Sequence, residues 1–454
     1  MSHGSRQLPE PDFPEPARRG AGSALRSLTA FTAAGVTAVG VTVLGTTALL
    51  TSTAAATPAA GTATPIAIVA PTNVGLFGAQ DPTYDGVYRQ SLAILGLTAT
   101  GRTANTPAVA WLLAQQCPDG AFTAYRANTS AACTPATEDE NATATAIQAL
   151  VTLGKPTATA VAALKHFQLA DGGFYDNTAF GPAASDANST GLALSALAAA
   201  GVDPATVKST TGKTGDDYLR SLQIACSATT GVGAYDFQGE ATLHANDYAT
   251  VQALLGQLGK AFPVSPAGSS GSAASCPATV TDARTSAAAA SSYLTARLAA
   301  TKGAIPSAFG SGTDWTTTAN AVLDLEAAGA GTTAVASALT ALEAGTKAYV
   351  RASGAFAPGP LATLLLVAHA SGIDPGAFGG VDLTTTLAST ERVTAATPPA
   401  ATPSPVATPV ATLPATGTTD AIPLGVLAAL LVGLGTAALL MSRPGRRRVG
   451  QRGC

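Results

Sequence analysis

At 454 residues and a formal charge of −3, with 46% hydrophobic residues but only 5% aromatic ones, the chain has the Ala-, Leu- and Val-rich make-up of closely packed helices. Between residues 60 and 416 there are 15 Lys and Arg against 23 Asp and Glu, a net of −8, which argues against nucleic acid as a partner. About a quarter of the chain reads as targeting segment and linker, so one large folded domain is expected.

The first 60 residues have the order of an export signal with a spacer. Arg18, Arg19 and Arg26 precede an apolar run at 31–50, and the small residues Ala54-Ala55-Ala56 follow it. The run is longer than a usual signal core, so an uncleaved membrane anchor is the alternative; either puts the middle of the chain outside the cytoplasm.

From residue 71 to 392 the sequence repeats. Helical apolar spacing predicts one series of helices at 84–101, 140–154, 189–201, 247–259, 315–329 and 360–372, each ending in glycine. A second series is predicted at 106–116, 158–169, 215–224, 282–300, 333–350 and 383–392. Turns pairing glycine with an apolar residue punctuate them: Asp119-Gly120-Ala121-Phe122, Asp171-Gly172-Gly173-Phe174, Gly231-Val232-Gly233-Ala234-Tyr235, Gly303-Ala304-Ile305 and Ser353-Gly354-Ala355-Phe356. Glycine supplies the positive φ of a helix end or tight turn, and the residue after it tucks under the hairpin.

Six hairpins with Gln116, Asp119-Gly120 and Phe122, or Gln168, Asp171-Gly172 and Phe174, resemble the prenyltransferase and squalene-cyclase repeat family over residues 76–392. The resemblance implies an all-α chain, an (α/α)6 toroid with six inner helices around a funnel and six outer ones covering them. It says less about activity, because the fold hosts cyclases, prenyltransferases and cobalamin carriers. The cyclases of the family use an Asp-x-Asp-Asp acid and many aromatic rings, whereas the nearest match here is Glu138-Asp139-Glu140-Asn141, and Trp111 and Trp315 are the two tryptophans. The zinc-dependent prenyltransferases need an Asp, Cys and His set, and the histidines here are His166, His244 and His369 apart from one in the export segment. A non-catalytic binding or surface-display module without cofactor is therefore expected. A polysaccharide lyase or hydrolase on a toroid stays open as the alternative, because the helix starts carry carboxylates. Cobalamin-type binding is a further alternative, with no diagnostic motif.

Counting back from the terminal glycines exposes a polar pattern. Fifteen residues before them stand Asp139, Asp186, His244 and Asp314; thirteen before, Asn141, Asn188, Asn246 and Thr316; eleven before, Thr143, Thr190, Tyr248 and Thr318. Helix capping explains such residues. If the helices are inner ones, the same residues ring the mouth of the funnel as a site for a polar or carbohydrate ligand, with Trp315, Tyr248 and Tyr84 as stacking surfaces.

Residues 393–412, rich in Pro, Thr and Ala, form a stalk that spans on the order of 60 Å when extended. Then come Leu413-Pro414-Ala415-Thr416-Gly417, an apolar span at 421–441 and the cluster Arg443, Arg446, Arg447, Arg448 and Arg452. The three parts in that order, at 413–454, resemble the sorting signal of sortase substrates. The resemblance implies attack by the sortase cysteine at Thr416, release of Gly417 onward and covalent transfer to peptidoglycan of a Gram-positive cell wall. The membrane holds the chain until then.

Cys454 falls in that tail, leaving Cys117, Cys133, Cys226 and Cys276 in an oxidising compartment. An even number predicts two disulfides, and proximity favours Cys117 with Cys133 and Cys226 with Cys276 among three connectivities. Zinc is the competing use of four cysteines, but no Cys-x-x-Cys accompanies them, and no metal is expected.

Overall fold

The computed structural model describes residues 73–393 apart from 180, 240 and 267–273. The export signal, the sorting motif, the apolar span at 421–441 and all of the stalk beyond 393 lie outside the described residues. Among those described, no helix is long and apolar enough to cross a membrane.

Twelve α-helices make up the described chain. They are α1 (Gly86–Ala99), α2 (Thr106–Gln115), α3 (Glu140–Thr152), α4 (Ala158–Leu164), α5 (Ala187–Ala199), α6 (Gly215–Ser221), α7 (Asp247–Gln257), α8 (Ala283–Ala300), α9 (Trp315–Ala328), α10 (Thr332–Tyr349), α11 (Pro358–Ala370) and α12 (Leu383–Ser389). The one ladder is a two-residue hairpin, Arg351–Ala352 against Ala355–Phe356. The chain is all-α, as its composition predicted. Helix α5 starts two residues earlier than expected because Asp186 caps it, α6 and α12 stop three residues short, and α4 stops five short, passing into a single 3-10 turn at Lys165–Phe167.

Odd- and even-numbered helices differ in what they bury. In α5 every residue from Ser189 to Leu197 is buried, so the helix has neighbours all round. In α10 burial falls on Ala334, Ala338, Leu342 and Thr346, one stripe at four-residue spacing, plus Val335. The contacts follow. Helices α1, α3, α5, α7, α9 and α11 each pack on the next, and α11 packs on α1, closing a cycle; α2, α4, α6 and α12 back onto α1, α3, α5 and α11, while α8 and α10 back onto α7 and α9. Where α5 meets α7, Gly191 and Gly256 face each other, and a methyl group at either would run into the backbone of the other helix. Each odd-numbered helix ends in a left-handed glycine, at 101, 154, 201, 259, 329 and 372. The next amide then reaches back to the last turn, as in Lys155 N to Leu150 O at 2.8 Å and Ile373 N to Ala368 O at 2.8 Å.

Successive repeats are stitched through their backbones. The first or second amide of an odd-numbered helix donates to the turn ahead of the following one: Val87 to Ala124 O (2.9 Å), Glu140 to Asp176 O (2.8 Å) and Ala187 to Phe237 O (2.9 Å). The ends of the array meet as well. Gly75 N bonds Arg392 O at 2.8 Å, Arg392 N bonds Leu76 O at 3.0 Å, and Gly78 N bonds Thr390 O at 2.9 Å.

Both favoured disulfides are present, Cys117–Cys133 and Cys226–Cys276, with Cα separations of 5.8 and 5.6 Å. The pairs mark a chain that folds outside the reducing cytoplasm.

Candidate functional site

The glycine turns and the polar helix starts form one bonded unit. In three turns a glutamine donates to a glycine carbonyl at 3.0 Å: Gln116 to Gly120, Gln168 to Gly172 and Gln223 to Gly233. In four of the five turns the apolar residue donates its backbone N–H to a threonine hydroxyl: Phe122 to Thr143, Phe174 to Thr190, Tyr235 to Thr250 and Ile305 to Thr318. Those threonines donate in turn to the carbonyls of Asp139, Asp186, Asn246 and Asp314, each at 2.7 Å.

That last set corrects the register read from the sequence. Asp139, Asp186, Asn246 and Asp314 are the equivalent N-caps, each accepting from a backbone amide of the first turn. Helix α7 is two residues shorter than α3, so counting from its glycine placed His244 where Asn246 belongs. Exposed His244 instead donates its amide to Asp236. Tyr248 is then the counterpart of Asn141, Asn188 and Thr316, two residues past the cap. Trp315 is half-buried against the core, and Tyr84 stands exposed beside the start of α1.

The helix starts are brought together at one end of the cycle. Asn141 donates to Asp176 Oδ1 at 3.0 Å, and Asn177 donates to Asp176 Oδ2 at 2.8 Å and Asp139 Oδ2 at 3.4 Å. Burial, and then the neighbouring charge of Asp176, holds the Asp139 carboxyl well above the ordinary range. Burial also raises Asp176, against the pull of its asparagine bonds. Asp186 is pushed up to about 7 by burial, despite its bonds from Ser189. Glu140 is fully buried, neither of its carboxylate oxygens has a partner, and burial together with Asp176, Asp186 and Asp139 raises it strongly. The Asn188 Oδ1 is likewise buried and unpartnered.

Tyr248 shows what encloses this end. Its side chain is 38% exposed, yet desolvation raises its hydroxyl, with further contributions from Tyr88, Asp314, Asp186 and Asp176. It stands at the mouth that the helix starts form, near Tyr88 and the carboxyls of Asp314, Asp186 and Asp176. Tyr88 is pushed up to about 12 by burial and Glu140, and Tyr349 to about 12 by burial, Asp314 and Tyr88.

Below the mouth is a cavity of about 210 Å³, lined by all six odd-numbered helices. Its residues recur two, six and nine places past the caps: Thr316 and Gly359; Leu192, Gln252, Asn320 and Thr363; Gln148, Ser195, Leu255, Leu323 and Leu366. Steps of four and three keep one face of each helix toward the bore. Eight residues from Thr316 to Asp324 correspond to about 12 Å of depth. From α1 come Tyr88, Arg89 and Leu92. Phe262, from the connection after α7, crosses the far end and donates its amide to Gln148 Oε1 at 2.9 Å.

Three polar atoms of this wall are buried without a partner: Asp324 Oδ2, Gln148 Nε2 and Arg89 Nε. Asp324 is 2% exposed, and burial alone raises its carboxyl well above the ordinary range. Arg89 is held by Asp85 at 3.1 Å and donates to Gln80 O at 2.9 Å. Asp324 is not among the residues that the polar pattern singles out, although the sequence carries a signal for it. Ten places past the cap the other repeats carry Ala149, Ala196, Gly256 and Val367.

One group among the described residues brings three metal-ligand atoms together: Cys117, Asp119 and Glu138. The Cys117 sulfur is bonded to Cys133, which removes the thiolate.

No family model matches the sequence. No curated protein matches it either. Among solved structures, a protein from Actinoplanes aligns over 70% of this chain and 90% of its own, at 17% identity and a TM-score of 0.40. The type II terpene cyclase MstE from Scytonema, in a variant bound to geranylgeranyl dihydroxybenzoate, aligns over 62% of this chain and 75% of its own, at 15% identity and a TM-score of 0.39. Its apo form aligns over 62% and 76%, at 15% identity and a TM-score of 0.38.

Proposed function

We propose that this chain is an exported surface protein, joined by sortase to the peptidoglycan of a Gram-positive wall through Leu413–Gly417. In this reading its six hairpins form an (α/α)6 toroid whose bore takes a small polar ligand. The observation that carries the ligand reading is the wall of unpartnered polar atoms, Asp324 Oδ2, Gln148 Nε2 and Arg89 Nε. A buried polar atom left unpaired costs about 1–3 kcal/mol, and three such atoms belong to residues lining one cavity, where a turn of the side chain would offer them to a polar molecule. The rim residues Asp139, Asn141, Asp186, Asn188, Asn246, Asp314 and Tyr248 then line the entrance, with Trp315 beside it and His244 outside the row. Volume limits the guest. At about 210 Å³ the cavity is below the ~300–1,000 Å³ of drug-sized sites, which suits one ring of a sugar or a molecule of that size and weighs against a whole cobalamin.

The test is thermal melting of the purified full chain with monosaccharides, amino sugars, wall-glycan fragments and cobalamin. Compounds of one ring should raise the melting temperature, and Ser195→Leu, which fills part of the bore, should abolish the rise. No shift with any of them would remove the ligand reading. Attachment is tested separately: Thr416→Ala should leave the protein in the membrane fraction, and equal recovery from wall digests would remove sorting.

A second reading, glycan cleavage, is favoured by the Asp139 and Asp176 pair, since a carboxyl raised by burial beside a second carboxyl and a polar rim suits general-acid work. Release of reducing ends from purified peptidoglycan, lost in Asp176→Asn, would establish it.

A further inference from the structure

Arg89 apart, the acidic and basic residues of the bore and its mouth carry carboxyls. Asp176, Asp186, Asp314 and Glu140 stand around Tyr88 and Tyr248 at the entrance. Among the described residues lining the cavity, Arg89 is the one cation, and Asp85 neutralises it at 3.1 Å. Asp324, 2% exposed, has no ion-pair partner, and its Oδ2 has no hydrogen-bond donor. The rest of the wall supplies rings and aliphatic surface: Tyr88, Tyr349, Phe262, Leu255, Leu323 and Leu366.

From these we infer that the bore selects an organic cation, a small amine or ammonium compound whose charged group meets Asp324 and whose body lies against Tyr88, Tyr349 and Phe262. The inference rests on the reading of the bore as a ligand site and narrows it. Three features act in the same direction. A cation entering among carboxyls that burial has raised favours their ionised form and gains its attraction. Aromatic faces attract cations through the ring quadrupole, most strongly where water is excluded. A buried carboxyl facing a cation regains the interaction that burial removed, whereas a neutral guest supplies at most a hydrogen bond. An anionic guest would gain nothing from ionising these carboxyls, and Arg89 is already engaged by Asp85.

Two probes of nearly equal shape separate the terms. Cyclohexylamine carries a positive charge near neutrality, and cyclohexanol has the same ring with a neutral donor. With the purified full chain, calorimetric titration is expected to show the amine binding at least tenfold more tightly than the alcohol. Asp324→Asn keeps the shape and a hydrogen-bonding amide, and is expected to bring the two affinities within a factor of two. Ser195→Leu, which narrows the cavity from α5 without touching charge, is expected to weaken both probes together. If the alcohol equals the amine in the unaltered protein, the bore remains a ligand site and the cation inference is overturned. Survival of the amine preference in Asp324→Asn overturns it too. Should neither probe bind at any concentration, the inference falls, and the panel of sugars decides whether the ligand reading falls with it. If Asp324→Asn does not fold, weakening of both probes in Ser195→Leu with unchanged affinities in Asp119→Asn, far out in a turn, still locates the site, and the amine preference of the unaltered protein decides the inference.

Discussion

The glycine turns and the bore are built from the same helices, yet they treat polar atoms in opposite ways. In the turns each recurring polar group is matched: glutamine with glycine carbonyl, threonine with the N–H of the tucked residue, cap carboxylate with first-turn amide. In the bore, Asp324, Gln148 and Arg89 each leave a buried atom unmatched. The turn residues recur from repeat to repeat, while Asp324 replaces the alanine, glycine or valine of its counterparts. Recurring polar residues therefore serve the scaffold, and a polar residue that breaks the repeat is where function is to be sought.

Mutations can break that contrast. On the scaffold side, replacing Cys226 and Cys276 by alanine should destabilise the protein by about 4 kcal/mol in the chain-entropy model, and denaturant unfolding would read it. Next comes Gln90, fully buried, which accepts from Phe77 N and donates to Gly75 O and Ala108 O, each at 2.9 Å. Gln90→Leu should cost roughly 3 kcal/mol, because three buried backbone groups lose their partner. Asp324→Leu, equally buried, should cost less than about 1 kcal/mol or stabilise, since its unpaired atom already opposes folding, with Gln148→Leu between the two because Phe262 N loses its acceptor. If the bore residues prove as costly as Gln90, the contrast is wrong.

Smaller effects sharpen it. Asp314→Ala should cost about 1 kcal/mol by removing the cap on Thr317, while Asp314→Asn should cost a few tenths. Asp186 predicts a pH dependence. Its folded value is raised to about 7 from an ordinary 3.8, so between those values the folded protein holds a proton that the unfolded chain has released. Stability should therefore fall as pH rises from about 4 to about 7 and level off above. The melting temperature should be higher at pH 5 than at pH 8, and Asp186→Asn should flatten that difference. Glu140, Asp139 and Asp324 are shifted in the same direction, so a profile rising from pH 5 to 8 would mean that these groups are not buried as described.

Much of the scaffold was legible in the sequence because local rules fix it. Glycine at a left-handed helix end, four-residue apolar spacing and an Asp before a helix are short-range signals. They placed the helices to within three residues at nearly every end and pointed to three of the four caps. The fourth was misplaced because α7 is shorter than its counterparts, and only the bond from Thr250 to the Asn246 carbonyl reveals the true register. The bore was not legible. Gln148 and Asp324 lie inside apolar runs, and which of their faces meet depends on all six helices packing in a cycle. Phe262 was equally hidden, since nothing local says that the connection after α7 crosses to α3.

The pairing of residues 75–78 with 390–392 has a consequence for cooperativity. A linear stack of helical hairpins frays from two exposed ends, and its stability approximates a sum over repeats and their interfaces. Joining first to last leaves no end to fray, so no hairpin can open without breaking interfaces on both of its sides. Melting should then be all-or-none for the described domain, and a chain cut short before Glu391 should lose that property first, showing hydrogen exchange that spreads inward from α1 and α11.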